Sequence, residues 1–181
     1  MTLLILGLLL WSSAHLFKRL APDARARMGD PGKAVVAVAS LAAIVLMVIG
    51  YRAADVVVLW SSPPFLTRVN NLLMILAIYL FVSSGAKTWI TTKIRHPQLT
   101  AVKTWAVAHL LVNGDLASLV LFGGLLVWAV VSVIVINRAS GDWVPEHGWP
   151  VKNEVQAVIG TVVVLAVIGF IHNWLGYWPF G

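Results

Sequence analysis

The stretch LASLVLFGGLLVWAVVSVIVIN, residues 116–137, contains no charged side chain. About 20 apolar residues in a helix cross the ~30 Å hydrocarbon core of a bilayer, so this stretch predicts a transmembrane helix. Asn113 and Gly114, just before it, favour a tight turn, and Asp115 can accept hydrogen bonds from the first free amides of the helix. We therefore expect an antiparallel helical hairpin around this turn.

The rest of the chain repeats this apolar pattern. Its 181 residues are 60% hydrophobic and only 11% charged, whereas soluble proteins are roughly 45–50% apolar and about 25% charged. We predict an all-α, polytopic membrane helical bundle that forms a single domain over residues 1–181. About six transmembrane helices are expected, at approximately 2–20, 33–52, 68–86, 98–113, 116–137 and 153–175.

The net charge of +6 is unevenly distributed along the chain. Most lysines and arginines fall in the first, third and fifth loops, whereas the second and fourth hold only Arg52 and Arg68. The positive-inside rule then predicts odd-numbered loops in the cytoplasm and both termini outside. The bilayer accounts for the basic charge, and no nucleic-acid partner is predicted. The N-terminal block has its basic residues after its apolar core, which favours a retained helix over a cleavable signal.

Three histidines, His15, His109 and His172, lie within apolar blocks, whereas His147 lies in a polar loop where we expect it to be solvated. Ionisable groups inside a bilayer are costly and commonly functional. The simpler alternative is a histidine that hydrogen-bonds to a neighbouring helix. Neutral imidazole is a common metal and haem ligand, and cysteine is absent, so thiolate ligation and iron–sulfur clusters are excluded.

His109 is expected to share one helix face with Trp105 and Asn113, four residues away on either side. Depth along the helices pairs it more easily with His172 than with His15, which lies ~5 Å from the charged end of its helix. The fourth span, however, has only about 14 apolar residues, or ~21 Å of helix. If its turn lies within the membrane, His109 comes nearer to the depth of His15.

Three motifs indicate a family. RHPQL (95–99), WAVAHLLVNGDLAS (105–118) and FGGLLVWA (122–129) resemble the NnrU family of bacterial membrane proteins, which includes the 15-cis-zeta-carotene isomerase of plants and cyanobacteria. The resemblance implies a multi-pass protein of the bacterial inner (cytoplasmic) membrane, with periplasmic termini by the charge rule. It also implies an association with denitrification, through nitrite and nitric oxide reduction. Expected partners are the lipid bilayer, a hydrophobic small molecule or nitric oxide, and other membrane subunits.

For the isomerase branch the resemblance implies b-type haem with histidine axial ligands. Carried over by motif, these ligands are His109 and His15, with His172 as the alternative. Trp105 would pack against the macrocycle, and Arg95 and Lys103 would pair with haem propionates. Ordinary anchoring at the membrane surface explains these two cations equally well. Ala106 stands where the plant enzyme has a cysteine, so a switch of axial ligand is not expected.

Other functions remain open, and whether the chain is an enzyme is one of the open points. The resemblance allows a haem-dependent cis–trans isomerase or a redox protein. The Arg-His-Pro segment also occurs in membrane methyltransferases that bind S-adenosylmethionine, but those enzymes need a downstream acidic pair. Here only separate acids follow, at Asp142, Glu146 and Glu154. The last alternative is a non-catalytic assembly factor whose histidines are packing groups.

Overall fold

The computed structural model describes residues 1–145 and 148–180. His147, predicted to be solvated, lies outside the described residues. A short 3-10 turn, Trp89–Thr92, precedes the fifth helix. The helices are α1 (Thr2–Leu20), α2 (Pro22–Arg27), α3 (Pro31–Arg52), α4 (Phe65–Ala86), α5 (Pro97–Val112), α6 (Leu116–Ser140) and α7 (Val151–Trp174).

The all-helical fold confirms the predicted class, and each predicted helix forms within a few residues of its expected bounds. Five helices, α1, α3, α4, α6 and α7, are long and apolar enough to cross a membrane. The fourth predicted span forms as α5, but its 16 residues give only about 24 Å of helix, which is shorter than the ~30 Å core. Helix α2 was not predicted, and Pro22 lies in its first turn, a position that tolerates proline.

The long helices form a row of neighbours. Helix α1 packs between α3 and α6, α6 packs against α5, α5 against α4, and α4 against α7 at the edge. Glycines allow α1 and α3 to approach closely: a Cβ at Gly7 would lie 2.7 Å from the Met47 side chain, and one at Gly50 would collide with the backbone of Leu4. Close approach through small residues is a common way for helices to associate in membranes.

The two ends of the helices, which lie on opposite sides of the expected membrane, differ in charge. At one end, Asn153 on α7 donates to the carbonyl oxygen of Lys87, and His96 bonds with Asn137 of α6. The first, third and fifth loops, which carry most of the basic residues, lie at this end. The chain termini, the second loop and the α5–α6 turn lie at the other end, where Asn71 donates to the Phe180 carbonyl oxygen. The predicted separation of charge is therefore present in the fold.

The second loop crosses the α5–α6 turn as an extended strap, residues 57–62. Leu59 and Trp60 donate their backbone N–H groups to the carbonyl oxygen of Gly114, at 2.7 and 3.1 Å. The Leu116 amide donates to the Val57 carbonyl oxygen at 2.9 Å, and the Ser62 hydroxyl donates to that of Leu111 at 2.6 Å. The strap thus satisfies backbone groups that the end of α5 and the start of α6 leave unpaired.

Candidate functional site: intramembrane histidines

The hairpin that carries His109 forms as predicted. The backbone leaves the helical conformation at Asn113, and the Asp115 carboxylate accepts from the Ser118 amide at 2.9 Å. Asp115 also accepts from the Ser118 hydroxyl at 2.6 Å, so that hydroxyl is free to accept from the phenol of Tyr51, 2.8 Å away. This chain of hydrogen bonds ties α3 to the start of α6 and fixes the position of the turn.

His109 lies in an aromatic cluster between α5 and α6. Its ring stacks on Phe122, with centroids 4.4 Å apart and an interplanar angle of 14°. Trp105 contacts both rings edge-on, at 5.2 Å from His109 and 5.0 Å from Phe122. The predicted stripe of Trp105, His109 and Asn113 is confirmed, and its rings hold the imidazole against α6.

Asn113 decides which nitrogen of His109 is free. Its amide nitrogen donates to the His109 carbonyl oxygen at 2.9 Å and lies 3.5 Å from Nδ1 of the same residue. An amide NH₂ group can only donate, so this arrangement favours an unprotonated Nδ1 and a proton on Nε2. The contact at 3.5 Å is at the limit of a hydrogen bond and constrains the ring only weakly.

His15 lies in a second aromatic cluster, between α1 and α6. Its ring is 3.9 Å from Trp11 and 5.3 Å from Trp128, centroid to centroid. Nδ1 of His15 lies 2.9 Å from the Trp11 carbonyl oxygen, and since a carbonyl can only accept, the proton is on Nδ1. The Nε2 atom then has its lone pair available, and the side chain is exposed at the surface of the helix row.

Buried polar atoms without partners accompany this second cluster. The indole nitrogens of Trp11 and Trp128 and the hydroxyl of Ser132 make no hydrogen bond within the described part of the chain. Trp128 and Ser132 are only 8% and 3% exposed, and they lie one turn apart on α6. Leaving buried donors unpaired is costly, so their position is suited to an acceptor group from outside the chain.

The structure separates His15 from His109. They contact α6 at Trp128 and Phe122, six positions apart, which corresponds to about 9 Å of rise and about 120° around the helix axis. The two clusters are joined through the core, because Trp105 packs against the group of buried side chains that includes Trp128. A single iron atom bound by both rings would require them to turn toward each other.

His172 lies near the end of α7 and resembles His15 in its hydrogen bonding. Its Nδ1 lies 2.8 Å from the carbonyl oxygen of Ile168, so the same reasoning leaves its Nε2 free. Which of His15 and His172 pairs with His109 stays a prediction.

The remaining predicted residues lie along α5 or just before it. Pro97 lies in the first turn of α5, and His96 lies 2.8 Å from the side-chain oxygen of Asn137 through its Nε2. Arg95 and Lys103 are half-buried, and neither makes a hydrogen bond or ion pair with any residue in the ranges 1–145 and 148–180. Both cations are therefore available to an acidic group, and the structure does not bring them together with His15.

The described residues contain no group of three or more histidine, aspartate or glutamate side chains that could hold a metal ion. His15 and His109, each beside aromatic rings, are the candidates that remain. The NnrU protein family model matches residues 3–179. The chain belongs to the NnrU family. No curated protein and no solved structure matches this NnrU-family chain.

The sequence analysis missed Trp11, Trp128 and Ser132 as site residues. One signal for Trp11 was present, since a tryptophan stands four residues before His15, just as Trp105 stands four residues before His109. That spacing brings an indole into contact with the following imidazole within a single helix. Trp128 and Ser132 carried no such signal, because their contact with α1 depends on how two distant helices pack.

Proposed function

We propose that this NnrU-family protein binds b-type haem through its intramembrane histidines and acts in denitrification, in the reduction of nitrite or nitric oxide. The observation that carries the proposal is the hydrogen bonding of His15 and His172. Each Nδ1 is paired with the carbonyl oxygen of the residue four positions earlier, at 2.9 and 2.8 Å. Histidine ligands of metals are typically oriented by this kind of bond, which leaves Nε2 for the metal.

The surroundings of His15 also fit a bound cofactor. Two indole N–H groups and the hydroxyl of Ser132 lack acceptors within the described residues, and a cofactor with acceptor atoms would satisfy them. The ring stacking of Trp11 on His15 keeps the imidazole in one orientation. Apolar and aromatic neighbours suit a planar macrocycle and exclude water from it.

His109 would be the other ligand, with one adjustment of its neighbour. Ligation through Nε2 requires the proton on Nδ1, where Asn113 now presents a donor. Reversal of the Asn113 side-chain amide would present its oxygen instead and satisfy that proton. The second axial ligand is His15 in the arrangement that the family resemblance implies, or His172 in the arrangement that helix depth favours.

A haem held by these residues would supply one-electron chemistry, and nitric oxide would bind to it only where one axial histidine gave up its place. The chain itself would orient the imidazoles through Trp11, Ile168 and Asn113. Arg95 and Lys103, which have no acidic partner in the described part of the chain, would neutralise haem carboxylates by charge-assisted hydrogen bonds. Arg95 lies just before α5, and Lys103 lies within it.

The function can be tested by complementation in a denitrifying bacterium that lacks its own copy of this protein. We expect wild-type protein to restore consumption of nitrite and nitric oxide, and His109→Ala to fail at equal membrane abundance. His96→Gln is the matched control, because it replaces a histidine whose partner is Asn137 and should restore activity. Unchanged consumption in the strain without the protein would contradict the denitrification role, and failure of the control would contradict the assignment to His109.

A further inference from the structure

A small cavity lies where α1, α2 and α3 meet, about one helical turn beyond His15 along α1. Its volume is about 300 Å³. Helix α2 has six residues and connects the end of one candidate span to the start of the next. The cavity is lined by Lys18, Pro22, Arg25, Ala26, Gly29 and Lys33.

The cavity is strongly basic. Residues 18–33 include five lysines and arginines but only two acids, Asp23 and Asp30. Asp30 pairs with Lys33, with a distance of 2.9 Å between Nζ and Oδ1. Lys18 makes no ion pair within the described residues, and Arg25 donates only to the carbonyl oxygen of Gly29, at 3.0 Å. A carbonyl carries no net charge, so two of the three lining cations lack a counter-ion.

Packing holds the guanidinium of Arg25 in place. A Cβ at Gly32 would lie 2.6 Å from Nη1 of Arg25, so the absence of a side chain there makes room for this group. The bond from Nη1 to Gly29 leaves the other N–H groups of the guanidinium free to donate. A guanidinium fixed in this way matches the geometry of phosphate oxygens, which it can bind with two parallel hydrogen bonds.

The position of the cavity indicates the source of the phosphate. It lies at the ends of α1 and α3, which are candidate membrane spans, and therefore at the level of lipid headgroups. Next to it the helices expose apolar side chains, with Leu20 67% and Val35 52% exposed. Acyl chains can cover these side chains while the headgroup occupies the basic cavity.

We infer that the cavity between α1, α2 and α3 binds the phosphate of an anionic phospholipid headgroup. None of the residues that line the cavity is a proposed haem ligand, so the lipid site can be tested separately from the proposed function. Binding there would hold the short α2 at the membrane surface and fix the angle between α1 and α3. The lipid would come from the leaflet on the side where the first, third and fifth loops carry most of the basic residues.

Native mass spectrometry of the full-length protein in detergent tests this inference. Phosphatidylglycerol and phosphatidylcholine with identical acyl chains are the probes. We expect phosphatidylglycerol to bind in preference, and Arg25→Gln to lower its affinity about fivefold, the effect of one basic residue at an anionic surface. Arg25→Lys keeps the charge and should lose less affinity for phosphatidylglycerol than Arg25→Gln. The comparison separates the effect of charge from an effect on folding.

Controls distinguish a site from general attraction and a lipid from free phosphate. Lys152 lies at the start of α7, at the same basic ends of the helices as the cavity. Lys152→Gln should leave phosphatidylglycerol binding unchanged. An equal loss in Lys152→Gln, or equal binding of the two lipids, would overturn the site. Displacement of the lipid by an equimolar amount of inorganic phosphate would overturn the assignment to a lipid headgroup, because acyl-chain contacts should make the lipid bind more tightly than phosphate alone.

Discussion

The Nδ1 atom of His15 donates a hydrogen bond to the carbonyl oxygen of Trp11 over 2.9 Å. Stacking of the same two rings at 3.9 Å adds a second restraint, so the imidazole is held by its own helix without help from a neighbouring element. The atom left free is Nε2, and the imidazole centroid lies 5.3 Å from the ring of Trp128 on α6. A preorganised imidazole beside unpaired indole donors is the feature on which the haem proposal depends.

Replacing Trp128 by phenylalanine should test the role of the unpaired indole. The substitution removes an N–H group that has no partner among the described residues but keeps an aromatic ring. We expect the dissociation rate of haem, measured by transfer to a scavenger protein, to rise about fivefold, as for the loss of one hydrogen bond. Trp149→Phe, at a tryptophan that is 44% exposed, is the control and should leave the rate unchanged. Equal rates in both variants would contradict a role for the indole.

Asn113 should control the ligand strength of His109. Asn113→Asp places a carboxylate where it can accept the Nδ1 proton, which makes the ring a stronger ligand. We expect this variant to retain haem and to have a more negative reduction potential in a spectroelectrochemical titration. Asn113→Leu removes the partner, and haem affinity should fall about 10–100-fold. Identical potentials and affinities in the two variants would exclude His109 as a ligand oriented by residue 113.

Gly114 should be essential for docking of the 57–62 strap. A Cβ at this position would collide with the Trp60 carbonyl oxygen, so Gly114→Ala must displace the strap from the α5–α6 turn. We expect a loss of about 1–3 kcal/mol in unfolding free energy, which is the usual cost of overpacking. Thermal unfolding in detergent measures the change. Gly85→Ala is the control, since a Cβ there meets nothing within 4 Å, and it should be neutral or stabilising.

Glu154 should hold α7, the helix at the edge of the row beside α4, in place. Its two carboxylate oxygens accept from the Tyr79 hydroxyl at 3.0 Å and from the Trp89 backbone amide at 2.6 Å, whereas α7 otherwise packs mainly on α4. Glu154→Ala leaves both donors unpaired, and we expect a loss of about 1.5–3 kcal/mol. Limited proteolysis of the loop before α7 should be faster in the Glu154→Ala variant. The exposed Gln156→Ala should have no effect, and a similar acceleration in that variant would refute the tether.

The sequence predicted those features that depend on local signals. Apolar runs located the helices, Asp115 was correctly identified as the cap of α6, and the four-residue spacing of Trp105, His109 and Asn113 predicted their common stripe. The contact between the strap and the turn was beyond prediction, because Val58 and Asp115 pair across distant parts of the chain. The tether at Glu154 was missed for the same reason, since its two donors lie on other elements.

The candidate site likewise has features that depend on local signals and features that depend on contacts between distant parts of the chain. Which histidines lie in apolar helices could be predicted from composition, whereas the pairing of His109 with His172, which helix depth favours, stays a prediction. The placement of His15 and His109 on different sides of α6 depends on the order of helices in the row. No periodicity within one helix specifies that order, because in a bilayer the apolar faces of all helices are alike to the lipid.

The most direct test is an optical spectrum of the purified protein, oxidised and then reduced with dithionite, for wild type and for His15→Ala, His109→Ala and His172→Ala. Production with an ample supply of haem precursor ensures that cofactor is not limiting. The proposal predicts sharp reduced bands of low-spin b-type haem in the wild type, lost in His109→Ala and in one of the other two variants, which identifies the second ligand. A spectrum without haem bands in the wild type, or bands that persist in all three variants, would contradict it.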